Sequence, residues 1–209
     1  MDVQREVDAT RREVEMRLDG PEGEQRVVAR IARTYPTDVK DLFEACTDAD
    51  RIARWFAPVT GELRLGGQYQ IEGNAGGTIT ACEPPHAFDA TWEFGGQVSW
   101  IAVRFTPDGE HARFELTHTA GVDPEFWETY GPGAVGIGWD LGLLGLAAHL
   151  GSGVGVSPAE AEAWSVSPEG KAFIAATGHG WAAASVAAGM EPDDAAARAE
   201  RTIAFYTGG

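Results

Sequence analysis

The sequence predicts an α+β protein in which a curved antiparallel sheet wraps one long apolar helix, with a helical appendage behind it. Two observations carry that reading. Between Gly61 and Thr119, apolar residues recur with a period of two, in short runs separated by turns rich in glycine and proline. From about Ala134 to Leu150 the chain is apolar on nearly every side, with polar breaks almost only at Asp140 and His149. Such a helix must be covered on most sides, and a concave sheet is the natural cover. The length of 209 residues suits one sizeable core and is short for two ordinary domains.

The elements follow in order. Residues 1–24 form a charged N-terminal extension in which Val14, Met16 and Leu18 alternate with Glu13, Glu15 and Arg17, a short strand ahead of an Asp19-Gly20-Pro21 turn. Val27 to Tyr35 has strand composition. Pro36-Thr37-Asp38 ends it and starts a helix, with Thr37 or Asp38 as N-cap and Val39, Leu42, Phe43 and Cys46 as the apolar stripe. A second helix spans roughly Ala49 to Trp55. Strand alternation then covers Leu63 and Leu65, Tyr69 and Ile71, with Gly66-Gly67 between them. Runs at Thr78–Cys82, Ala87–Phe94, Val98–Thr106 and His111–Thr119 follow, the last two joined at Pro107-Asp108-Gly109, for about six antiparallel strands in all. Phe88, Ala90, Trp92 and Phe94 share the apolar face of one strand; Asp89, Thr91 and Glu93 share the other. Beyond Gly151, residues 152–209 are alanine-rich, with helix starts at Ser157-Pro158, Ser167-Pro168 and Pro192-Asp193-Asp194. Trp164, Phe173, Ile174 and Trp181 give these helices apolar surface to dock on the body or on a second copy. A homodimer through the C-terminal helices is therefore one expectation.

The formal net charge of −16 sets the surface against phosphate backbones and anionic lipid, so neither nucleic acid nor membrane is an expected partner. Cys46 and Cys82 have no CxxC spacing and read as structural thiols in a reducing compartment. No apolar leader is visible at the N-terminus, and the expected location is the cytoplasm. The apolar helix around 134–150, broken by Asp140 and His149, reads as a core helix and not as a span.

Several stretches resemble a known family. TDADRIARWFAPVTGELRLGGQYQI (47–71), GNAGGTITACEPP (73–85), FDATWEFGG (88–96) and YGPGAVGIGWDLGLLGLAAHL (130–150) are similar, in this order, to the SRPBCC (START/Bet v 1-like) superfamily. The branch is the one homologous to the activator of the heat-shock-protein-90 ATPase. The resemblance covers roughly residues 25–151 and leaves 152–209 outside. It implies the helix-grip fold, with a cavity between the sheet and its long helix. The fold hosts ligand binders, cyclases and chaperone co-factors alike, so it does not fix the function.

Candidate site residues come from the inward faces. Trp55, Phe56, Tyr69, Trp92, Phe94, Phe105, Phe114 and Trp139, with Leu143, are the expected lining of an apolar pocket. Each is also the kind of residue that fills a plain core. His118 shares strand parity with Phe114 and Leu116, so it points inward, either as a satisfied core residue or as a polar group for a ligand. Asp140 is costly to bury alone and must face solvent, the tail helices or a specific partner. His149, near a helix C-terminus, is expected to complement the helix dipole as a cation. Gly73-Asn74-Ala75-Gly76-Gly77 has no Lys-Ser/Thr ending and reads as a turn. No metal-ligand spacing and no nucleophile elbow stands out, and no cofactor is expected. The expected function is binding of a small apolar or aromatic molecule. The alternatives are a cavity enzyme of cyclase, hydrolase or dehydratase type using His118 or Asp140, and a chaperone-associated interaction module.

Overall fold

The computed structural model describes residues 1–20, 24–153 and 155–208, so Pro21 of the expected first turn lies outside the described residues. The strands are β1 (Thr10–Arg17), β2 (Arg26–Tyr35), β3 (Val59–Gly61), β4 (Gln68–Ile71), β5 (Gly76–Glu83), β6 (Ala87–Phe94), β7 (Gln97–Asp108) and β8 (His111–Gly121). The helices are α1 (Val3–Asp8), α2 (Val39–Thr47), α3 (Ala49–Ile52), α4 (Pro124–Tyr130), α5 (Gly133–Ser152), α6 (Pro158–Ser165), α7 (Pro168–Ala187) and α8 (Pro192–Thr207). The eight strands make one antiparallel sheet in the order β1-β2-β8-β7-β6-β5-β4-β3. The chain forms two compact units. The first contains Met1–Ile31, Gly121–Leu141 and Pro158–Gly209; the second contains Ala32–Ala120 and Gly142–Ser157. β2 and α5 each contribute to both.

In the first unit, short polar side chains start the helices. Asp123 accepts hydrogen bonds from the backbone N–H of Glu125 and Phe126, with Pro124 in the first turn of α4. Ser167 does the same for Gly170 at the start of α7, where Pro168 follows. Within this unit α7 packs on α1 and β1 of the N-terminal segment and on α8, and buries Phe173, Ile174 and Trp181. α8 closes the C-terminal carbonyls of α4. Arg198 Nη1 donates to Trp127 O at 2.8 Å, Arg201 Nε to Thr129 O at 2.6 Å, and Thr202 Oγ1 to Tyr130 O at 3.0 Å. α4 itself had not been expected, although Asp123-Pro124 is its N-terminal signal.

Glycine within α5 makes room for aromatic rings. A Cβ at Gly136 would lie 2.2 Å from Trp181 Cε2, far inside contact distance. Gly136→Ala is therefore expected to drive Trp181 out of place and lower stability by about 1–3 kcal/mol, measured by chemical denaturation. A loss under about 0.5 kcal/mol would contradict this packing.

In the second unit, β6, β7 and β8 pair in regular antiparallel register, with Ala90 opposite Ile101 and Ile101 opposite His118. Asp38 caps α2 by accepting from Asp41 N at 2.8 Å, and α2 buries Leu42 and Phe43. The second half of α5 meets this unit closely. Tyr35 Oη donates to Leu143 O at 3.0 Å, and a Cβ at Gly145 would lie 2.5 Å from Trp55 O. By length and composition α5 could cross a membrane, yet its two polar interruptions, Asp140 and His149, are both buried within the protein.

Three local expectations need correction. The Leu63–Leu65 strand is a turn: Arg64 N donates to Glu62 O and Gly67 N to Arg64 O, and Leu65 is exposed. Two alternating leucines with no facing strand do not make a ladder, and the strand lies earlier, at Val59–Gly61. The β7–β8 turn is tighter than Pro107-Asp108-Gly109. Pro107 pairs with Ala112 and Asp108 with His111, leaving Gly109, at φ 64°, to take the left-handed position. α3 ends at Ile52, and Trp55 follows it in turns.

Candidate functional site

Strand parity sets the inner face of the sheet in the second unit. On β7 it carries Ser99, Ile101, Val103 and Phe105; on β8 it carries Ala112, Phe114, Leu116 and His118; on β6 it carries Phe88, Ala90 and Trp92. One end is filled. Phe105 meets Phe43, Phe114 and Phe88 with ring centroids 5.5, 5.8 and 6.2 Å apart, so Phe105 and Phe114 are core residues.

The other end is polar and more open. His118 is buried, while Trp92 and Ser99 are half-buried. Ser99 Oγ lies 3.0 Å from Trp92 O and 2.8 Å from His118 Nε2. The serine hydroxyl has one proton, and the Trp92 carbonyl can only accept it. Ser99 must therefore accept from His118, which places the imidazole proton on Nε2 and the ring's lone pair on Nδ1. Burial pushes the His118 pKa down to about 4, so the ring is neutral at physiological pH. The Trp92 ring stands edge-on to it, with centroids 6.1 Å apart.

The remaining expected site residues fall in other places. Trp55 and Phe56 form a pair, 5.5 Å between centroids, against α5: Trp55 Nε1 donates to Ala45 O at 2.9 Å, and a Cβ at Gly142 would lie 3.3 Å from the Phe56 ring. Leu143 is buried, with its carbonyl held by Tyr35. Tyr69 Oη donates to Thr91 O at 2.7 Å, and burial raises its pKa, so it stays a neutral phenol. Trp139, in the first unit, is half-buried and not enclosed. Phe94 is the clear correction. It is 60 % exposed, because parity with Trp92 carries it past the last covered position to the end of the β6–β7 hairpin.

Two polar residues of α5 have partners or surroundings that the sequence did not disclose. Asp140 is buried in the first unit, gripped by Arg12 through Nε to Oδ2 at 3.0 Å and Nη2 to Oδ1 at 2.5 Å. Trp181 Nε1 donates to Oδ2 at 2.8 Å. Of the alternatives for Asp140, the specific partner is the one found, and it includes a tail helix. His149 is not a dipole-complementing cation. It is buried, and burial together with Arg51 and Arg54 lowers its pKa despite the opposing pull of Asp41.

Chemically, the Ser99–His118 pair suits hydrogen bonding to a ligand better than proton abstraction. A base whose conjugate acid has a pKa near 4 takes protons poorly at neutral pH. The Cys46 thiol is buried, and burial drives its pKa well above the usual range, so it is no nucleophile. Among the described residues no cluster of three His, Cys, Asp or Glu side chains is placed to hold a metal ion. Ser99 went unnoticed in the sequence; its parity with Ile101, Val103 and Phe105 was the available signal. Arg33 is a similar case: it shares parity with Ile31 and Tyr35, is buried, and holds its guanidinium carbon 5.4 Å from the centre of the Tyr35 ring.

Comparison with known proteins agrees with this architecture. Two structures of CalU16 from Micromonospora echinospora are similar. The solution structure is 30% identical, covers 86% of this chain and 97% of its own, and superposes with a TM-score of 0.68. The crystal structure is 29% identical, covers 81% and 98%, and gives 0.59. DynU16, a protein of the dynemicin biosynthetic locus, is 19% identical over 61% of this chain and 48% of its own, with a TM-score of 0.56, and shares the fold. No curated protein matches in sequence. The family model described as "Activator of Hsp90 ATPase homolog 1-like protein" matches residues 36–151, more than half of the chain, and the protein belongs to that family.

Proposed function

We propose that the protein binds a small apolar or aromatic molecule against the open end of the sheet's inner face, with Trp92 as the stacking surface and the Ser99–His118 pair as the polar anchor. The observation that carries this is the contrast along one face. Phe105, Phe114, Leu116 and Val103 are closed off, whereas Trp92 and Ser99 remain half-exposed beside a neutral, buried imidazole. An apolar wall with few, fixed polar groups is the usual composition of a small-molecule site. Trp55 and Phe56, at the second half of α5, offer further apolar surface in the same unit. The neutral His118 favours binding over acid–base catalysis.

Titration with hydroxylated polycyclic aromatics, followed by tryptophan fluorescence and by the His118 ring signals in NMR, tests the reading. Saturable binding that shifts the His118 signals is expected, with Trp92→Ala weakening it about tenfold or more, the loss of roughly one aromatic contact. Binding that leaves the His118 signals unmoved, or that Trp92→Ala does not weaken, would place the ligand elsewhere. Native mass spectrometry of protein purified from its own host would identify a retained molecule.

A second reading is an interaction surface of the kind the family description names. It is favoured by Phe94 and Val98, both exposed at the β6–β7 hairpin. Replacing both by Asp would then abolish stimulation of the host's Hsp90 ATPase while leaving small-molecule binding intact.

A further inference from the structure

His149 lies in the last turns of α5 with neither Nδ1 nor Nε2 hydrogen-bonded, although the residue is only 6 % exposed. A buried imidazole ordinarily satisfies at least one nitrogen. Charged groups act on it from the neighbouring elements: Asp41 on α2, Arg51 on α3 and Arg54 just after α3. The one carboxylate is already committed. Asp41 Oδ1 accepts from Arg51 Nη1 at 2.8 Å, and Asp41 Oδ2 accepts from Thr37 Oγ1 at 2.6 Å. Two guanidinium groups against one carboxylate leave the surroundings positive. The backbone is close as well: Val156 N donates to Arg54 O at 2.9 Å, and Gly145, one turn before His149, sits against Trp55 O.

We propose that His149 is an acid-released latch: neutral, it lets the end of α5 seat against Trp55 and Phe56, and protonated, it unseats that end. An imidazolium here would be a third cation among Arg51 and Arg54, buried and without an acceptor. Burial first, then Arg51 and Arg54, hold its pKa below the ordinary 6.5. The seated state therefore binds the proton less well than the unseated one. Seating is complete above pH 6.5 and is lost as the pH falls below it. The latch does not depend on what the sheet binds, although release of Trp55 and Phe56 would alter that face too.

Hydrogen exchange of the full chain at pH 7.5 and pH 5, corrected for intrinsic rates, tests it. Amides of residues 144–152 are expected to exchange about tenfold faster at pH 5 while β7 and β8 keep their protection. His149→Leu is expected to abolish the difference. Equal protection of the helix end at both pH values overturns the latch, and so does acid opening that persists in His149→Leu or that takes β7 and β8 with it. Should His149→Leu fail to fold, the ring titration read by NMR decides: Arg54→Gln is expected to raise its midpoint, and an unchanged midpoint overturns the proposal.

Discussion

Arg12→Met is expected to destabilise the protein by about 3–5 kcal/mol, the range for removing one partner of a buried ion pair. Both side chains are almost wholly enclosed, at 7% and 1% exposure, so little water is available to replace the lost contact. The guanidinium also donates Nη1 to Val7 O at 3.2 Å and to Thr10 O at 3.0 Å, so its removal strips acceptors on α1 and β1 as well. The Asp140 carboxylate would keep the Trp181 donor and lose both guanidinium bonds. The double variant Arg12→Met with Asp140→Leu removes the charge along with its partner. It should recover most of the loss, less about 1–3 kcal/mol for the indole N–H left behind. Urea denaturation of the two single variants and the double variant measures the coupling. A loss below about 1 kcal/mol for Arg12→Met would mean that the pair is solvated in solution. The pair joins β1, the middle of α5 and α7, and so makes the tail part of the first unit's core.

That network shows where sequence reasoning stops. Arg12 and Asp140 are 128 positions apart, and no local pattern links them. The cost of burying an Asp in an apolar helix left solvent, the tail helices or a specific partner open, and could not choose among them. Parity worked where an element was long and covered. It placed His118 inward with Phe114 and Leu116, and the structure agrees. It failed for Phe94, since parity says which way a side chain points and not whether anything lies above it. Ser99 as the partner of His118 depends on β7–β8 register, with Ile101 opposite His118 and Ser99 opposite Ala120, which only strand pairing sets. The helix caps were legible because they are local: Asp38 and Ser167 each bond a backbone N–H three residues on. The glycines of α5 were visible but not their purpose, because the aromatics they admit come from distant segments. His149 was misjudged for the same reason: dipole logic considers one helix, and Arg51 and Arg54 belong to another part of the chain.

Acidification is expected to cost the protein about 3 kcal/mol through His118 alone, between pH 6.5 and pH 4. The ring's pKa is pushed down by burial from its ordinary 6.5 to about 4, so the folded state takes up the proton less readily than the unfolded chain. The sign follows: the contribution is fully present above pH 6.5 and is lost as the pH falls toward 4. At about 1.36 kcal/mol for each pH unit of that gap, the whole loss comes to about 3 kcal/mol. Carboxylates and His149 also take up protons as the pH falls, so the wild-type curve alone does not isolate the residue. His118→Gln supplies the reference. Glutamine carries no titratable proton and can still donate an N–H to Ser99, whose hydroxyl stays on Trp92 O. Denaturation of both proteins at pH 7.5, 6, 5 and 4 should show the wild type losing about 3 kcal/mol more than the variant by the lowest pH. Parallel curves would mean that His118 ionises within the fold as easily as in water. A ring that accessible to water would be a candidate base and no longer a buried polar anchor, and the balance between binder and enzyme would reverse.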